Sequence, residues 1–421
     1  MAIAFKQRHV SDTWLALFAL LLTVVFDYFF NNHSREASLA MFAVITFVFI
    51  YILREFRHYG TLGIVVFSSG LILYVIPYLG YILRGVHLPF VFYSLFNVVA
   101  LILLFFSRFF FREGITQEST VLKGAVPLYC IFILFSFVGL HVWMPVHAGF
   151  LALALLMLGR ICGNIKYSHK KVLVLTSFIY LLLLYDFFMV WNGFGRLLFL
   201  IYLILPVLVL YHYRRISLSM WQFHILIPFG MLIGIYIRAQ DGFRLALMNF
   251  GGGSVGHHLE LMKDISLSLN SSEARISELF GQFSLYFLNW FPRDIWQEKP
   301  VGISFWFVDE FIGREGYGDV YNVSLGLWGE HMYLLPGFWP VSGLFLILLT
   351  GLMIKIVYVC SFRSAVAVIV FQAYLLTLFW GGMGSFGSRV WWMLLPICIY
   401  IWAEKIFLLL TAKKILPARL S

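Results

Sequence analysis

Val172-Leu-Val-Leu-Thr-Ser-Phe-Ile-Tyr-Leu-Leu-Leu-Leu-Tyr-Asp-Phe-Phe-Met-Val190 carries a single charge, Asp186. As a helix rising 1.5 Å per residue it is about 28 Å long, close to the ~30 Å apolar core of a bilayer. Similar blocks fill the chain on both sides. Twelve are placed, at 13–30, 37–53, 61–82, 90–107, 125–142, 148–162, 172–190, 197–212, 222–237, 338–358, 364–380 and 390–409. The whole chain of 421 residues is 62% hydrophobic and 12% charged, with a mean hydropathy of +0.90. A soluble protein is about a quarter charged. The composition excludes a soluble globular enzyme, a disordered chain and a nucleic-acid module, and leaves an all-α polytopic membrane protein.

The net charge of +10 is read as topology, because cytoplasmic loops collect Lys and Arg. With the N-terminus inside, 19 of the 30 basic residues fall in inner loops and ends. The short outer loops hold only Arg35, Arg84, Arg196 and Arg389. Both termini are therefore expected in the cytoplasm. The basic start, Met1 to His9, and the apolar run after it resemble a signal peptide. The run is long, and Asn31-Asn32-His33-Ser34-Arg35 offers no small-residue cleavage site, so it reads as an uncleaved first span. Cys130, Cys162, Cys360 and Cys398 lie in or beside apolar blocks without metal-ligand spacing and read as core packing.

Three regions follow: residues 1–237 with nine spans, a long loop at 238–337, and residues 338–421 with three spans and a cytoplasmic tail. The loop holds 12 of the 20 acidic residues and is expected outside. A hundred residues between two spans call for a reason. Ser271 or Ser272 is placed to cap a helix through Glu273, Arg275, Glu278 and Leu279. The aromatic run from Phe283 to Phe307, with charges interleaved, suits short interfacial helices forming a cap over the bundle. His257-His258 with Glu260 reads as a stray polar triplet rather than a metal cluster, and no metal or cofactor site is expected.

Two motifs in this loop carry chemistry. In Trp290-Phe-Pro-Arg-Asp-Ile-Trp-Gln-Glu-Lys-Pro-Val-Gly302, two prolines stiffen a backbone that presents Arg293 and Lys299 around Trp296. Such residues can hold a phosphate and stack on a sugar, or equally anchor the loop among lipid headgroups. In Val323-Ser-Leu-Gly-Leu-Trp-Gly-Glu-His-Met-Tyr333, Glu330 and His331 put a carboxylate beside an imidazole just before the tenth span. Burial would make Glu330 a general base, or it could be a helix-end carboxylate paired with an arginine. Neighbours on a helix diverge by about 100°, so only one of the two is expected to face a site. Arg238 and Arg244 follow the ninth span, and Arg389 follows the small-residue stretch Gly381–Gly387, read as a flexible outer loop.

Pro-Arg-x-x-Trp-x-x-Lys-Pro-x-Gly in a long outer loop, then Gly-Glu-x-x-Tyr before the next span, resembles the oligosaccharide repeat-unit (O-antigen type) polymerases. The matching residues are Pro292, Arg293, Trp296, Lys299, Pro300 and Gly302, then Gly329, Glu330 and Tyr333. The resemblance implies a bacterial inner-membrane enzyme with a C-type multispanning glycosyltransferase fold (GT-C-like). Its substrate would be undecaprenyl-diphosphate-linked oligosaccharide, with membrane lipids and a chain-length regulator as further partners. It implies diphosphate binding by loop-edge arginines such as Arg238 and Arg293, and a base at Glu330 or His331. With Arg244, Trp296, Lys299, Tyr333 and Arg389 these form the expected site. A sugar on a lipid diphosphate is already activated, so cations for the leaving group and one base for the acceptor hydroxyl suffice. The rival readings are an O-antigen ligase and a polysaccharide or lipid flippase.

Overall fold

The computed structural model describes residues 15, 17–28, 34–56, 60–110, 124–164, 166–190, 196–217, 222, 257–268, 274–310 and 324–415. Among them the chain is helical, with no strand. The first part holds α1 (Leu17–Tyr28), α2 (Arg35–Phe56), α3 (Gly60–Gly70), α4 (Ile76–Leu83), α5 (Val91–Phe110), α6 (Ala125–Val142), α7 (Met144–Gly163), α8 (His169–Tyr185) and α9 (Arg196–His212). The loop contributes α10 (His257–Ser268), α11 (Ile276–Leu288), α12 (Ile303–Glu310) and α13 (Gly326–Leu334). The last part holds α14 (Trp339–Cys360), α15 (Ala365–Ala373) and α16 (Leu375–Ile415).

Seven of the described helical segments are long and apolar enough to cross a membrane, and three shorter apolar helices accompany them. The protein is therefore a helical membrane protein. The expected ninth span at 222–237 lies almost wholly outside the described residues, so twelve remains an expectation. Two spans contain π turns. Leu71–Val75 joins α3 to α4, and Asp186–Val190 continues α8. Such turns displace one residue from the helical ladder and recur at functional sites.

Local chemistry explains the boundaries. Ser34 Oγ accepts the Ala37 N–H at 3.2 Å to start α2, and Ser168 Oγ accepts that of Lys171 at 3.3 Å to start α8. Prolines open α7 and α14, where a missing N–H costs nothing. Trp143, in extended conformation, turns α6 into α7, and Gly139 lets the two helices approach. At the opposite end Arg215 donates to the carbonyls of Cys162, Asn164 and Tyr167, closing the C-terminus of α7. Arg160 of α7 forms a two-pronged pair with Glu404 of α16, at 3.0 and 2.5 Å.

The expected loop at Gly381–Gly387 is instead helix, interrupted at one residue. Gly382 has φ 72 and ψ −166 and breaks α16 into two arms. An unbroken helix would hold residues 371 and 386 about 22 Å apart. The rings of Phe371 and Phe386 lie 5.3 Å apart, and Tyr374 Oη donates to Met393 Sδ at 3.1 Å, so the chain folds back at Gly382.

The loop helices pack onto this fold. A Cβ on Gly387 would lie 2.0 Å from the Leu285 carbonyl, so only glycine lets α11 come this close. Trp391 Nε1 donates to the Tyr286 carbonyl at 2.9 Å, and the Tyr286 and Phe386 rings stack at 4.9 Å. Gln282 ties α11 to α12 by donating to Val301 O at 2.9 Å and accepting the Ile303 N–H at 3.2 Å. The expected helix start at Ser271 or Ser272 lies outside the described residues, and α11 begins at Ile276.

Candidate active site

Every residue of α13, Gly326-Leu-Trp-Gly-Glu-His-Met-Tyr-Leu334, is buried. A nine-residue helix with no polar face must be enclosed by other elements. On one side Gly329 leaves room for Met262 of α10. On another, Trp328 fills the space over Gly343 of α14, where a Cβ would lie 2.5 Å from its ring.

Glu330 points at the break in α16. Its Oε2 accepts the Met383 N–H at 2.8 Å. That N–H is free because the break at Gly382 leaves the second arm with unsatisfied amides, as at any helix start. Here a carboxylate from a helix some fifty residues upstream supplies the partner, where the helix dipole favours negative charge. The fit is close. A Cβ on Gly382 would sit 2.0 Å from the Glu330 carboxyl carbon. Glu330 is 3% exposed, and burial lifts its carboxyl to about 8, against the pull of the Met383 N–H. A carboxyl group poised there exchanges a proton near neutral pH, as a general base requires.

His331 points the other way. Its Nδ1 pairs with Ser342 Oγ of α14 at 2.7 Å, and its buried Nε2 has no hydrogen-bond partner. Burial pushes the imidazole down to about 3, so it is neutral. The two neighbours thus face different helices, and only Glu330 meets the glycine-rich stretch.

Tyr333 is buried beneath Arg275. The guanidinium carbon lies 4.3 Å from the ring centroid, and Nη1 donates to the hydroxyl at 2.6 Å. The Arg275 N–H also donates to Leu334 O at 2.8 Å, fixing the end of α13 to the start of α11. The sequence singled out Tyr333 as a substrate contact but took Arg275 only as a helix residue. No local pattern announces a pairing 58 residues apart.

The Pro-Arg-x-x-Trp-x-x-Lys-Pro segment is a closed turn. Arg293, exposed, donates to the carbonyls of Lys299 at 2.9 Å and Pro300 at 3.4 Å. Lys299 Nζ donates to those of Asn289 at 2.6 Å and Phe291 at 2.8 Å. Burial and the neighbouring Arg293 lower the Lys299 ammonium from its usual range. Trp296 is half-buried in the same turn. Both cations thus organise their own loop and keep some donors for other partners.

The residue just before the first motif reaches the same stretch of α16 as Glu330. Asn289, held by Lys299 through its carbonyl, donates from Nδ2 to Gly384 O at 2.6 Å. Glu330 binds the amide of Met383, the adjacent residue. Segments separated by some forty residues thus meet on one turn of α16. Arg389 lies six residues further along the same arm, with Nη1 donating to Ser385 Oγ at 2.8 Å. Arg238 and Arg244 lie outside the described residues. Among the described residues no group of His, Cys, Asp and Glu is arranged to hold a metal.

No family model, curated protein or solved structure matches this chain.

Proposed function

We propose that the protein is a membrane glycosyltransferase that polymerises undecaprenyl-diphosphate-linked oligosaccharide units at the periplasmic face of the bacterial inner membrane. One observation carries this reading: Asn289, whose carbonyl is held by Lys299 of the loop motif, and Glu330 bind the adjacent residues Gly384 and Met383 at the break in α16. In the reaction the acceptor hydroxyl oxygen attacks the anomeric carbon of the donor and its proton passes to Glu330. The bond from that carbon to the diphosphate breaks, and the lipid diphosphate leaves with both electrons. Arg293 and Arg389, with Arg238 and Arg244 from the remainder of the loop, supply the positive charge that steadies it.

The test uses purified protein with lipid-linked repeat units, reading polymer length on a gel. Wild type should produce a ladder, and Arg293→Ala should stop at single units while remaining folded. A normal ladder from Arg293→Ala, together with one from Arg389→Ala, would make these residues headgroup anchors and sink the assignment.

A second reading has its own support. A broken helix with a buried acid at the break is also how transport proteins build midplane sites. Vesicles reconstituted with the protein separate the two. Movement of lipid-linked sugar across the bilayer without new glycosidic bonds would favour transport.

A further inference from the structure

At the end of the bundle opposite Glu330, the span α14 finishes at Cys360 and a short turn leads into α15 at Ala365. Trp402 of α16 meets this turn. It lies about 30 Å along its helix from the break at Gly382, close to the apolar thickness of a bilayer. The last four carbonyls of α14 are all taken. Val357 O accepts from Ser361 N at 2.9 Å, and Tyr358 O from Arg363 N at 2.7 Å. Val359 O accepts from Phe362 N at 3.1 Å, and Cys360 O from Trp402 Nε1 at 2.9 Å. The helix end therefore needs no side-chain cation to cap it.

The turn carries cations all the same. Phe362 and Arg363 have φ 50 and 66, the left-handed region where a helix end ordinarily places glycine. Holding a phenylalanine and an arginine there strains the backbone, and such strain persists where the surroundings fix it. The Phe362 ring lies edge-on to Trp402 at 5.0 Å, and Lys405 Nζ stands 5.9 Å from its centroid. Phe362, Arg363 and Trp402 are all exposed. Neither Arg363 nor Lys405 has a carboxylate partner among the described residues. Glu404, the one acidic residue from His331 to Ser421, is bound by Arg160 through both oxygens. Two cations left uncompensated at a membrane surface attract its anions.

We infer that Phe362, Arg363, Trp402 and Lys405 form a binding site for the headgroup of an anionic phospholipid. Arg363 donates to the phosphate oxygens through its planar fork, and Lys405 adds a second positive charge. Trp402 and Phe362 sit at the boundary between headgroup and acyl chain, where aromatic rings concentrate. Exposed Ile356 and Val359 of α14 and Ile399 of α16 continue the surface toward the bilayer centre and receive the chains. That apolar continuation makes the partner a lipid and not a soluble phosphate. The site is separate from the junction at Gly382 and does not depend on the reaction carried out there.

The experiment is native mass spectrometry of the purified full-length protein, stripped of lipid in neutral detergent and mixed with phosphatidylglycerol or phosphatidylcholine. Wild type should prefer its first phosphatidylglycerol by about thirtyfold, which is about fivefold for each cation beside an anionic headgroup. Arg363→Gln combined with Lys405→Gln should abolish that preference. Phe362→Gly relieves the backbone and so should fold, yet it should bind phosphatidylglycerol more weakly than wild type. Lys170→Gln combined with Lys171→Gln removes two exposed cations at the start of α8, on the same end of the bundle, and should leave the preference intact. A wild type that binds the two lipids alike would overturn the site. So would equal losses in the two double variants, which would mean that the cations serve topology alone.

Discussion

Gly382→Ala should disrupt the junction between α13 and the second arm of α16. Two costs add. The backbone there, φ 72 and ψ −166, lies in a region essentially confined to glycine, and holding alanine in it costs on the order of 1–3 kcal/mol. The new methyl would also lie 2.0, 2.1 and 2.2 Å from the Glu330 carboxyl carbon and its two oxygens. Carbon contacts settle at about 3.5–4.0 Å, so the carboxyl must withdraw by about 1.5 Å and release the Met383 N–H. Losing that bond adds about 1–3 kcal/mol. The total is about 2–6 kcal/mol, confined to this junction. The assay is thermal unfolding of detergent-solubilised protein, followed by tryptophan fluorescence. A clear drop in Tm is expected for Gly382→Ala. In a double-mutant cycle with Glu330→Ala the carboxyl is absent, so only the backbone cost should remain and the two changes should couple by about 1–3 kcal/mol. Strict additivity, or a Gly382→Ala variant as stable as wild type, would refute the contact between Glu330 and the break.

Other consequences are measurable. Glu330→Gln should lower polymerisation by roughly a hundredfold or more while still binding the lipid-linked donor. Because the base form of Glu330 appears as pH rises through about 8, the wild-type rate should climb up to that point and the variant profile should be flat. Stability runs the opposite way: burial favours the neutral carboxyl, so the wild type is most stable below the ordinary value of 4.5, loses stability up to about 8 and then levels off. Lys299→Met keeps the stem but frees the carbonyls of Asn289 and Phe291, so limited proteolysis should cut the 289–302 turn faster than in wild type. In a background without the four cysteines, one placed at exposed Ser277 should react with an impermeant thiol reagent added outside intact cells, and one at exposed Lys166 should not. The reverse pattern would invert the topology and remove the site from the outer face.

What the sequence determined by itself is the bundle and much of its punctuation. Apolar length is a local property, and the block expected at 125–142 coincides with Ala125–Val142 because nothing distant is needed to make it a helix. The divergence of Glu330 and His331 was legible for the same reason: it follows from 100° per residue, whatever surrounds them. The partners were not legible. Gly381–Gly387 has the composition of a flexible loop, yet it is helical apart from Gly382, because α11 needs Gly387 for close approach and Glu330 needs Gly382 for room. Arg293 and Lys299 look like free cations along the chain, but the turn folds their own carbonyls around them. Composition and period are summed over neighbours in sequence, whereas an unsatisfied carboxylate or amide is defined by what stands opposite it. That opposing surface is supplied by distant segments, and only the tertiary structure decides which.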